Sequence, residues 1–226
     1  MLRRFDVHRV TTVAEAVDLR QRFGEDAAIY AGGTELLLAM KMGVAHWPHL
    51  IDVKPIASLG EISTTKDTLR IGATATHWNI ERDPLVARTL PAFARLESNV
   101  ANVRVRAAGT LAGNVAFAEP HADPPALLMS LGARVVLVGR AGSRSVPVAD
   151  FITGMYETAI AADEIIVAID VPLPARDARV AYVKFQILER PSVGVAAVAT
   201  VRDGRFVGAP AFVVGAVDEM PRRVDT

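Results

Sequence analysis

The chain has 226 residues, 51% of them hydrophobic, and its 25 lysine and arginine residues balance 25 aspartate and glutamate residues. This length suits one or two domains with a sizeable core, and the balanced charge disfavours a nucleic-acid binder, which usually carries a basic excess. There is no cysteine, so the chain supplies no thiolate for a disulfide or an iron–sulfur cluster. No apolar run approaches the ~18 residues of a membrane span and no secretory signal is present, so we expect a cytoplasmic protein.

Residues 1–55 are predicted to form a compact α/β unit. Thr12 and Glu15 have the spacing of a capping box, in which the threonine hydroxyl and the glutamate carboxylate bind backbone N–H groups at a helix start. Gly24 is typical of the end of that helix. The predicted elements are strands near 5–10, 27–30 and 49–53, and helices over 12–23 and 35–42.

Residues 56–172 are predicted to form a second unit that mixes strand pairs with helices. Asp123 before Pro124 and Pro125 is typical of a helix start, with the aspartate as the cap. We predict one long helix over 84–96 and an irregular segment over 100–108. The other predicted elements are strand pairs at 61–63 with 68–71 and at 134–138 with 143–148, a strand at 164–171, and helices at 76–81 and 123–131.

A linker containing Pro172 and Pro174 precedes a third unit. Strands are predicted over Tyr182–Leu188, Val193–Arg202 and Phe206–Val217. These strands lack a covering helix of their own. We therefore expect a unit that is truncated, disordered beyond its end or completed by a partner chain.

Two glycine-rich segments, Ala31–Leu36 and Gly109–Asn114, are the strongest chemical signal. Glycine lets a backbone approach a ligand closely, and the start of a helix offers free N–H groups to an anion. Either segment alone also fits an ordinary tight turn between a strand and a helix. Together, with Thr34 and Thr110 beside the glycines, they predict a site for a diphosphate-sized anion. Neither has the Gly-Lys-Ser/Thr of a Walker loop or the Gly-x-Gly-x-x-Gly dinucleotide fingerprint.

Further motifs surround these two segments in a fixed order. They are Tyr30-Ala31-Gly32-Gly33-Thr34-Glu35-Leu36, Leu50-Ile51-Asp52-Val53, Ile71-Gly72-Ala73-Thr74, Val103-Arg104-Val105-Arg106, Gly109-Thr110-Leu111-Ala112-Gly113-Asn114, Glu119-Pro120-His121-Ala122-Asp123-Pro124-Pro125, Val146-Pro147-Val148-Ala149-Asp150-Phe151, Tyr156-Glu157-Thr158, Asp163-Glu164-Ile165-Ile166 and Tyr182-Val183-Lys184-Phe185. In this order the chain resembles the FAD-binding medium subunit of molybdenum hydroxylases, the family of aerobic carbon monoxide dehydrogenase and xanthine dehydrogenase. The resemblance covers nearly the whole chain.

The resemblance implies an α+β architecture. Two α/β subdomains (1–55 and 56–172) would form a p-cresol-methylhydroxylase-type FAD-binding fold, followed by a short or truncated C-terminal α+β domain (179–226). The implied cofactor is FAD, which would pass electrons from the [2Fe–2S] clusters of a small partner subunit to an external acceptor. A large molybdopterin subunit would complete a heterotrimer or a dimer of heterotrimers. The lack of cysteine agrees, since the clusters would belong to another subunit.

The resemblance also implies which residues contact the cofactor, and it implies no catalytic or metal-ligating residue. Gly32, Gly33 and Thr34 would contact the pyrophosphate. Asp123 would lie near the adenosine ribose or the adjoining phosphate region, and Lys184 near the flavin ring. Ala112 replaces the first glycine of the family's second loop, and we expect its Cβ either to crowd the phosphate or to shift the backbone. The implied set is Ala31, Gly32, Gly33, Thr34, Glu35, Leu36, Val100, Thr110, Gly113, Asn114, Asp123, Ile166 and Lys184.

Two other functions stay open on the sequence. A stand-alone flavin oxidoreductase would need its own substrate pocket above the flavin. A non-catalytic scaffold subunit that has lost FAD would account for Ala112 and for the short third unit. The histidines at 46 and 49 and the acidic cluster at 119–123 are better interpreted as structural or surface residues than as metal sites, because Pro48 disrupts the spacing of the first pair.

Overall fold

The computed structural model describes residues 2–187 and 189–224. Its first unit is the predicted alternation of strands and helices around a three-stranded parallel sheet in the order β1-β3-β2. The capping box forms as predicted, with the Thr12 hydroxyl accepting from the Glu15 N–H, and Gly43 ends the second helix in a left-handed conformation. The elements are β1 (Asp6–Arg9), α1 (Val13–Phe23), β2 (Ala27–Tyr30), α2 (Leu36–Met42) and β3 (His49–Asp52).

The second unit is built on a five-stranded antiparallel sheet in the order β4-β5-β10-β6-β7, with helices packed on it. Phe93, Leu127 and Phe151 lie in its core and are fully buried. Its elements are β4 (Ile62–Thr64), β5 (Thr68–Gly72), α3 (His77–Arg82), α4 (Pro84–Thr89), α5 (Pro91–Glu97), α6 (Val103–Ala108), α7 (Leu111–Phe117), α8 (Pro124–Ser130), β6 (Arg134–Gly139), β7 (Gly142–Pro147), α9 (Val148–Phe151), the small pair β8 (Ile152–Gly154) and β9 (Glu157–Thr158), and β10 (Ile165–Pro172).

Two helix predictions in this unit are wrong. The long helix over 84–96 is two helices, because Pro91 has no N–H to donate and Leu90 leaves the helical region at φ −144°. The segment over 100–108 is not irregular throughout. The last six residues of this segment form α6. The N–H groups of Arg104 and Val105 in its first turn donate to the side chain of Asn102.

The prediction that Asp123 caps a helix is also wrong. The helix begins at Pro124 as expected, but Asp123 itself has helical dihedral angles and makes no cap hydrogen bond. Its carboxylate bonds instead to two residues of the third unit, which are described below.

The third unit is an antiparallel sheet in the order β11-β12-β14-β15, with β13 paired to β12. One face packs on α8, where a Cβ placed on Gly215 would lie 3.3 Å from Cβ of Ala126. The predicted strand over 206–217 is broken, since Gly208 has a positive φ and β14 begins only at Ala211. Three residues of the predicted third unit lie outside the described residues. They are Leu188, at the end of a predicted strand, and residues 225–226, at the end of the unit. The elements are β11 (Ala178–Gln186), β12 (Pro191–Arg202), β13 (Arg205–Phe206), β14 (Ala211–Gly215) and β15 (Arg222–Val224).

The outer face of this sheet is apolar. In β11, Tyr182 and Lys184 point toward the helices, while Val183 and Phe185 alternate with them on the opposite face and are exposed. Within residues 2–187 and 189–224, no helix is long and apolar enough to cross a membrane.

Phe93 tests the core of the second unit. Replacing this fully buried side chain by alanine leaves a cavity, so we expect Phe93→Ala to lower the free energy of unfolding by about 3–5 kcal/mol. Phe206, which is 69% exposed, is the matched control, and Phe206→Ala should change the free energy of unfolding by less than about 0.5 kcal/mol. Urea denaturation of both variants checks this, and equal losses would contradict the assigned core.

Candidate cofactor site

The two glycine-rich segments line one cavity of about 390 Å³ between the first and second units. This volume lies in the range of ~300–1,000 Å³ typical of small-molecule sites. All of the residues expected to contact a cofactor line the cavity, with the exception of Lys184. Those that do are Ala31, Gly32, Gly33, Thr34, Glu35, Leu36, Val100, Thr110, Gly113, Asn114, Asp123 and Ile166.

The segments come together because both carry glycine at their point of closest approach. A Cβ on Gly32 would overlap the carbonyl of Ala108 and lie 2.8 Å from Cα of Gly109. A Cβ on Gly109 would lie 2.9 Å from the Val105 carbonyl oxygen and 3.3 Å from Thr34 Oγ1. Since real side chains do not approach backbone so closely, any larger residue would force the two segments apart.

The second segment forms the first turn of α7 rather than an open loop. Thr110 caps this helix, its hydroxyl accepting the Gly113 N–H at 3.0 Å. Ala112 is buried in the same turn and lines the cavity. The amide oxygen of Asn114 has no hydrogen-bond partner in the part of the chain that the structure describes. Asn114 therefore keeps hydrogen-bonding capacity for a ligand.

Most of the remaining lining is apolar. The side chains come from β2, α7 and β10, from the residue after β3, and from the loops before α6 and before β10. Flat ring systems bind well to apolar walls with a few placed polar groups. A glycine cradle, an unpaired amide and these walls together fit a cofactor that joins rings through a diphosphate. The main apolar contributors are Ile29, Val53, Val100, Phe117, Ile160, Ile165 and Ile166.

Val100 is held at the cavity by Arg106. Arg106 donates from Nη1 to the Val100 carbonyl at 3.0 Å, and its Nε lies 2.9 Å from Glu81 Oε2. Both side chains of this pair are mostly buried. The pair anchors α6 to α3, and it fixes the loop in which Ala101 has a positive φ.

Lys184 reaches the cavity only through Asp123. Its Nζ donates to Asp123 Oδ2 at 3.0 Å and to the Asn99 carbonyl at 2.7 Å, and the Tyr182 hydroxyl donates to Asp123 Oδ1 at 2.8 Å. The side chains of Lys184 and Asp123 are only 9% and 4% exposed. The aspartate thus forms a buried link between the cavity wall and the sheet of the third unit.

Burial is the main influence on the pKa of Asp123. It raises the pKa of Asp123 above its ordinary value, while the charge and hydrogen bond of Lys184 and the hydrogen bond of Tyr182 oppose the rise. Burial beside the same carboxylate raises the pKa of the Tyr182 phenol, so the hydroxyl stays a donor at neutral pH. Breaking the lysine pair would therefore leave an uncompensated buried charge.

A second buried pair at the cavity was missed by sequence reasoning. His77 Nδ1 lies 2.5 Å from Glu97 Oε2, and the two side chains are 3% and 0% exposed. His77 also lines the cavity. The only signal in the sequence is a polar residue on each of two helices, α3 and α5, and nothing in their spacing of twenty residues predicts the contact.

Charged pairs also surround the cavity where the hairpin between β11 and β12 crosses it. The guanidinium of Arg190 forms salt bridges with Glu119 at 3.0 Å and with Glu35 at 3.3 Å. Nδ1 of His121 lies 3.1 Å from Glu119 Oε1. Glu189 accepts both of its hydrogen bonds from Asn102. Through Glu35 these contacts tie the third unit to the first glycine segment, and through Asn102 and Glu119 they tie it to residues on either side of the second. In the described part of the chain, no group of three or more histidine, aspartate or glutamate residues is arranged to hold a metal ion.

Comparison with known proteins identifies a matching family. Residues 3–174 match the model of the FAD-binding domain in molybdopterin dehydrogenase. The chain is 35% identical over 207 residues to the carbon monoxide dehydrogenase medium chain of Afipia carboxidovorans, covering 91% of this chain and 72% of that one. It is 37% identical over 183 residues to the corresponding chain of Hydrogenophaga pseudoflava, covering 81% of this chain but only 64% of that one. A solved carbon monoxide dehydrogenase structure from Hydrogenophaga pseudoflava superposes with a TM-score of 0.95 at 33% identity, covering 99% of this chain and 78% of that one.

The close approach of the glycine segments can be tested at Gly32. We expect Gly32→Ala to weaken FAD binding at least about tenfold, because the new Cβ must displace the Ala108–Gly109 backbone that forms the other wall. Gly60→Ala is the control, since its Cβ would meet nothing closer than Thr74 Oγ1 at 3.6 Å. Titration of the apoprotein with FAD, followed by flavin fluorescence, gives both dissociation constants. Equal affinities in the two variants would contradict the cradle.

The buried lysine–aspartate pair gives a pH-dependent prediction. Lys184→Met should lower the free energy of unfolding by about 3–5 kcal/mol at neutral pH, because Asp123 would stay buried without its cation. The pKa of Asp123 is already raised and would rise further without the lysine. The loss of stability should therefore shrink as the pH falls toward 4, where the carboxyl becomes protonated in both the folded and the unfolded state. Urea denaturation at pH 5 and pH 7 measures this.

The exposed pair of Arg202 with Asp177 supplies the control for that measurement. Arg202→Met should cost no more than about 1 kcal/mol, because both side chains are largely or partly exposed to solvent. A Lys184→Met loss as small as the control, or one that grows at acid pH, would contradict the role of the buried pair.

Proposed function

The chain belongs to the family of FAD-binding domains in molybdopterin dehydrogenases, and from this we propose that it is the electron-transfer flavoprotein subunit of a heteromeric molybdenum hydroxylase. The observation that carries the proposal is the contact of Gly32 with the Ala108–Gly109 backbone, which forms a two-sided glycine cradle in an apolar cavity. In this proposal residues 1–55 and 56–172 are two FAD-binding subdomains, and residues 179–226 are part of a C-terminal flavoprotein domain.

The proposed contacts follow the cavity wall. Gly32, Gly33 and Thr34 on one side and Thr110 and Gly113 on the other would hold the pyrophosphate, with Asn114 donating or accepting a further hydrogen bond. Asp123 would lie beside the ribose. The remaining proposed contacts are Ala31, Glu35, Leu36, Val100 and Ile166 in the wall and Lys184, which would act through Asp123.

When bound, FAD would accept electrons from the [2Fe–2S] clusters of a small partner subunit and release them to an external acceptor. The chain's own residues would bind and orient the cofactor and exclude water around it. The absence of cysteine from the sequence supports a division of labour in which the clusters and the molybdopterin reside on other subunits. A heterotrimer or a dimer of heterotrimers is the assembly proposed.

Two alternatives lead to different observations. A stand-alone flavin oxidoreductase would be reduced by its small-molecule donor without any other subunit. A scaffold subunit that has lost FAD would bind no flavin, but the buried amide oxygen of Asn114, which has no partner within the described residues and lines the cavity, argues against it.

Flavin spectra distinguish these functions. The purified chain should show the flavin absorbance bands or acquire them with added FAD. Carbon monoxide, the substrate that the medium-chain relatives' name indicates, is the first donor to try, followed by the donors of other hydroxylases. We expect the flavin to be bleached by a donor only when the iron–sulfur and molybdopterin chains are present. Bleaching of the isolated chain would favour the stand-alone enzyme, and a colourless chain that takes up no FAD would favour the scaffold.

A further inference from the structure

We propose that His77, oriented by Glu97, binds the diphosphate of the cofactor through its Nε2–H. This inference rests on the proposed function, because it concerns the same cavity. It adds a charged residue to a cradle that otherwise consists of glycine, threonine and an amide. Three observations support this role: the burial of the pair, the place of the ring where the glycine segments meet, and the bonds already made by other basic side chains near the cavity.

Burial of the pair fixes its chemistry. Glu97 is fully buried, and His77 Nδ1 at 2.5 Å from its Oε2 is the contact that satisfies that oxygen. Its other oxygen, Oε1, has no hydrogen-bond partner within the described residues. A buried carboxylate is costly without a partner, and as part of the proposal we take His77 to be protonated at both ring nitrogens. With Nδ1–H committed to Glu97, the ring carries a second N–H at Nε2 that points away from the pair.

The opposite edge of the ring, formed by Cδ2 and Nε2, lies where the two glycine segments meet. A Cβ on Gly109 would contact Thr34 Oγ1 at 3.3 Å and His77 Cδ2 at 3.4 Å, so the ring and the threonine of the first segment approach the same point. The backbone agrees, since the His77 N–H donates to the Gly109 carbonyl at 3.0 Å. Thr34 and His77 both line the cavity, so an anion held in the cavity by Thr34 would lie beside the free edge of His77.

The other basic side chains at the cavity already have partners. Arg20 donates from Nη1 to the carbonyls of Gly24 and Ala27, although its Nε has no partner within the described residues. His121 is paired with Glu119 through Nδ1. Arg190 is bonded to Glu119 and Glu35, and Lys184 to Asp123. His77 has its only charged partner on one edge. Among the described residues, His77 is the basic side chain whose free edge the contacts of Gly109 place where the two glycine segments meet, and charge-assisted bonds to phosphate are about twice as strong as neutral ones.

A purely structural pair, joining α3 to α5 and nothing more, makes different predictions. It would stabilise the apoprotein but would affect all ligands of the cavity alike. A diphosphate contact would instead separate ligands that carry phosphate from those that do not. Both experiments below use this difference.

The first experiment compares His77→Gln with the wild type. We expect the dissociation constant for FAD to rise about ten- to hundredfold, because one charge-assisted hydrogen bond is lost. Riboflavin, which lacks the diphosphate, should bind both proteins within about threefold. The control is His8→Gln, since His8 forms a part-buried pair with His49 at 3.1 Å away from the cavity lining, and it should leave the FAD affinity unchanged. Equal FAD affinity in His77→Gln and the wild type, or equal weakening of FAD and riboflavin, would overturn the inference.

The second experiment needs no variant, and it decides the matter if His77→Gln does not fold. The wild-type apoprotein labelled with ¹⁵N-histidine is titrated with ADP and, separately, with adenosine. We expect the Nε2 resonance of His77 to move with ADP and to stay within a small fraction of that shift with adenosine. If the Nε2 resonance of His77 does not shift at any attainable ADP concentration, including those that displace FAD, the contact is contradicted. Failure of the wild type to bind FAD at all would instead contradict the proposed function.

Discussion

The cavity depends on the contact between two backbones that are far apart in the sequence. The carbonyl of Ala108 and the Cα of Gly109 occupy the space that a side chain on Gly32 would need, so the first and second units touch without intervening side chains. This contact is short-range and steric, and it tolerates almost no substitution. It also sets the width of the cradle, because Thr34 and Thr110 are fixed to the two backbones that meet there. Every other group at the site is placed relative to this line of contact.

The second and third units are joined differently, through buried polar groups. Asp123 projects from the start of α8 into the sheet, where it meets Lys184 and Tyr182 of β11. Such a buried pair contributes little net stability compared with an apolar contact of the same size, but removing one partner is costly. It therefore specifies one position of the sheet. The hairpin after β11 is held over the cavity by Arg190, so the position of the sheet also determines the environment of the site.

The sequence predicts those features that depend on local chemistry. The capping box at Thr12 and Glu15 and the helix end at Gly24 are each specified by a few neighbouring residues, and they form as expected. The failures occur where distant residues compete for a local group. Asp123 has the position of a helix cap, yet Lys184 and Tyr182, about sixty residues later, take its carboxylate. Asn102 was not recognised as a cap, and the His77–Glu97 pair joins two helices whose packing no periodicity reveals.

The pairing of charges at the cavity argues for cofactor binding rather than for bond-making chemistry by the protein. A general acid or base needs a hydrogen-bonding position free to face the reacting atom. Along this wall the carboxylates are already bonded within the protein, and Glu164 is a clear case, since its hydrogen bonds to Arg144 lower its pKa. The groups left with free hydrogen-bonding capacity are an amide, the glycine backbone and one edge of an imidazole. These are suited to holding an anion, and a subunit that transfers electrons through its cofactor requires nothing more of its side chains.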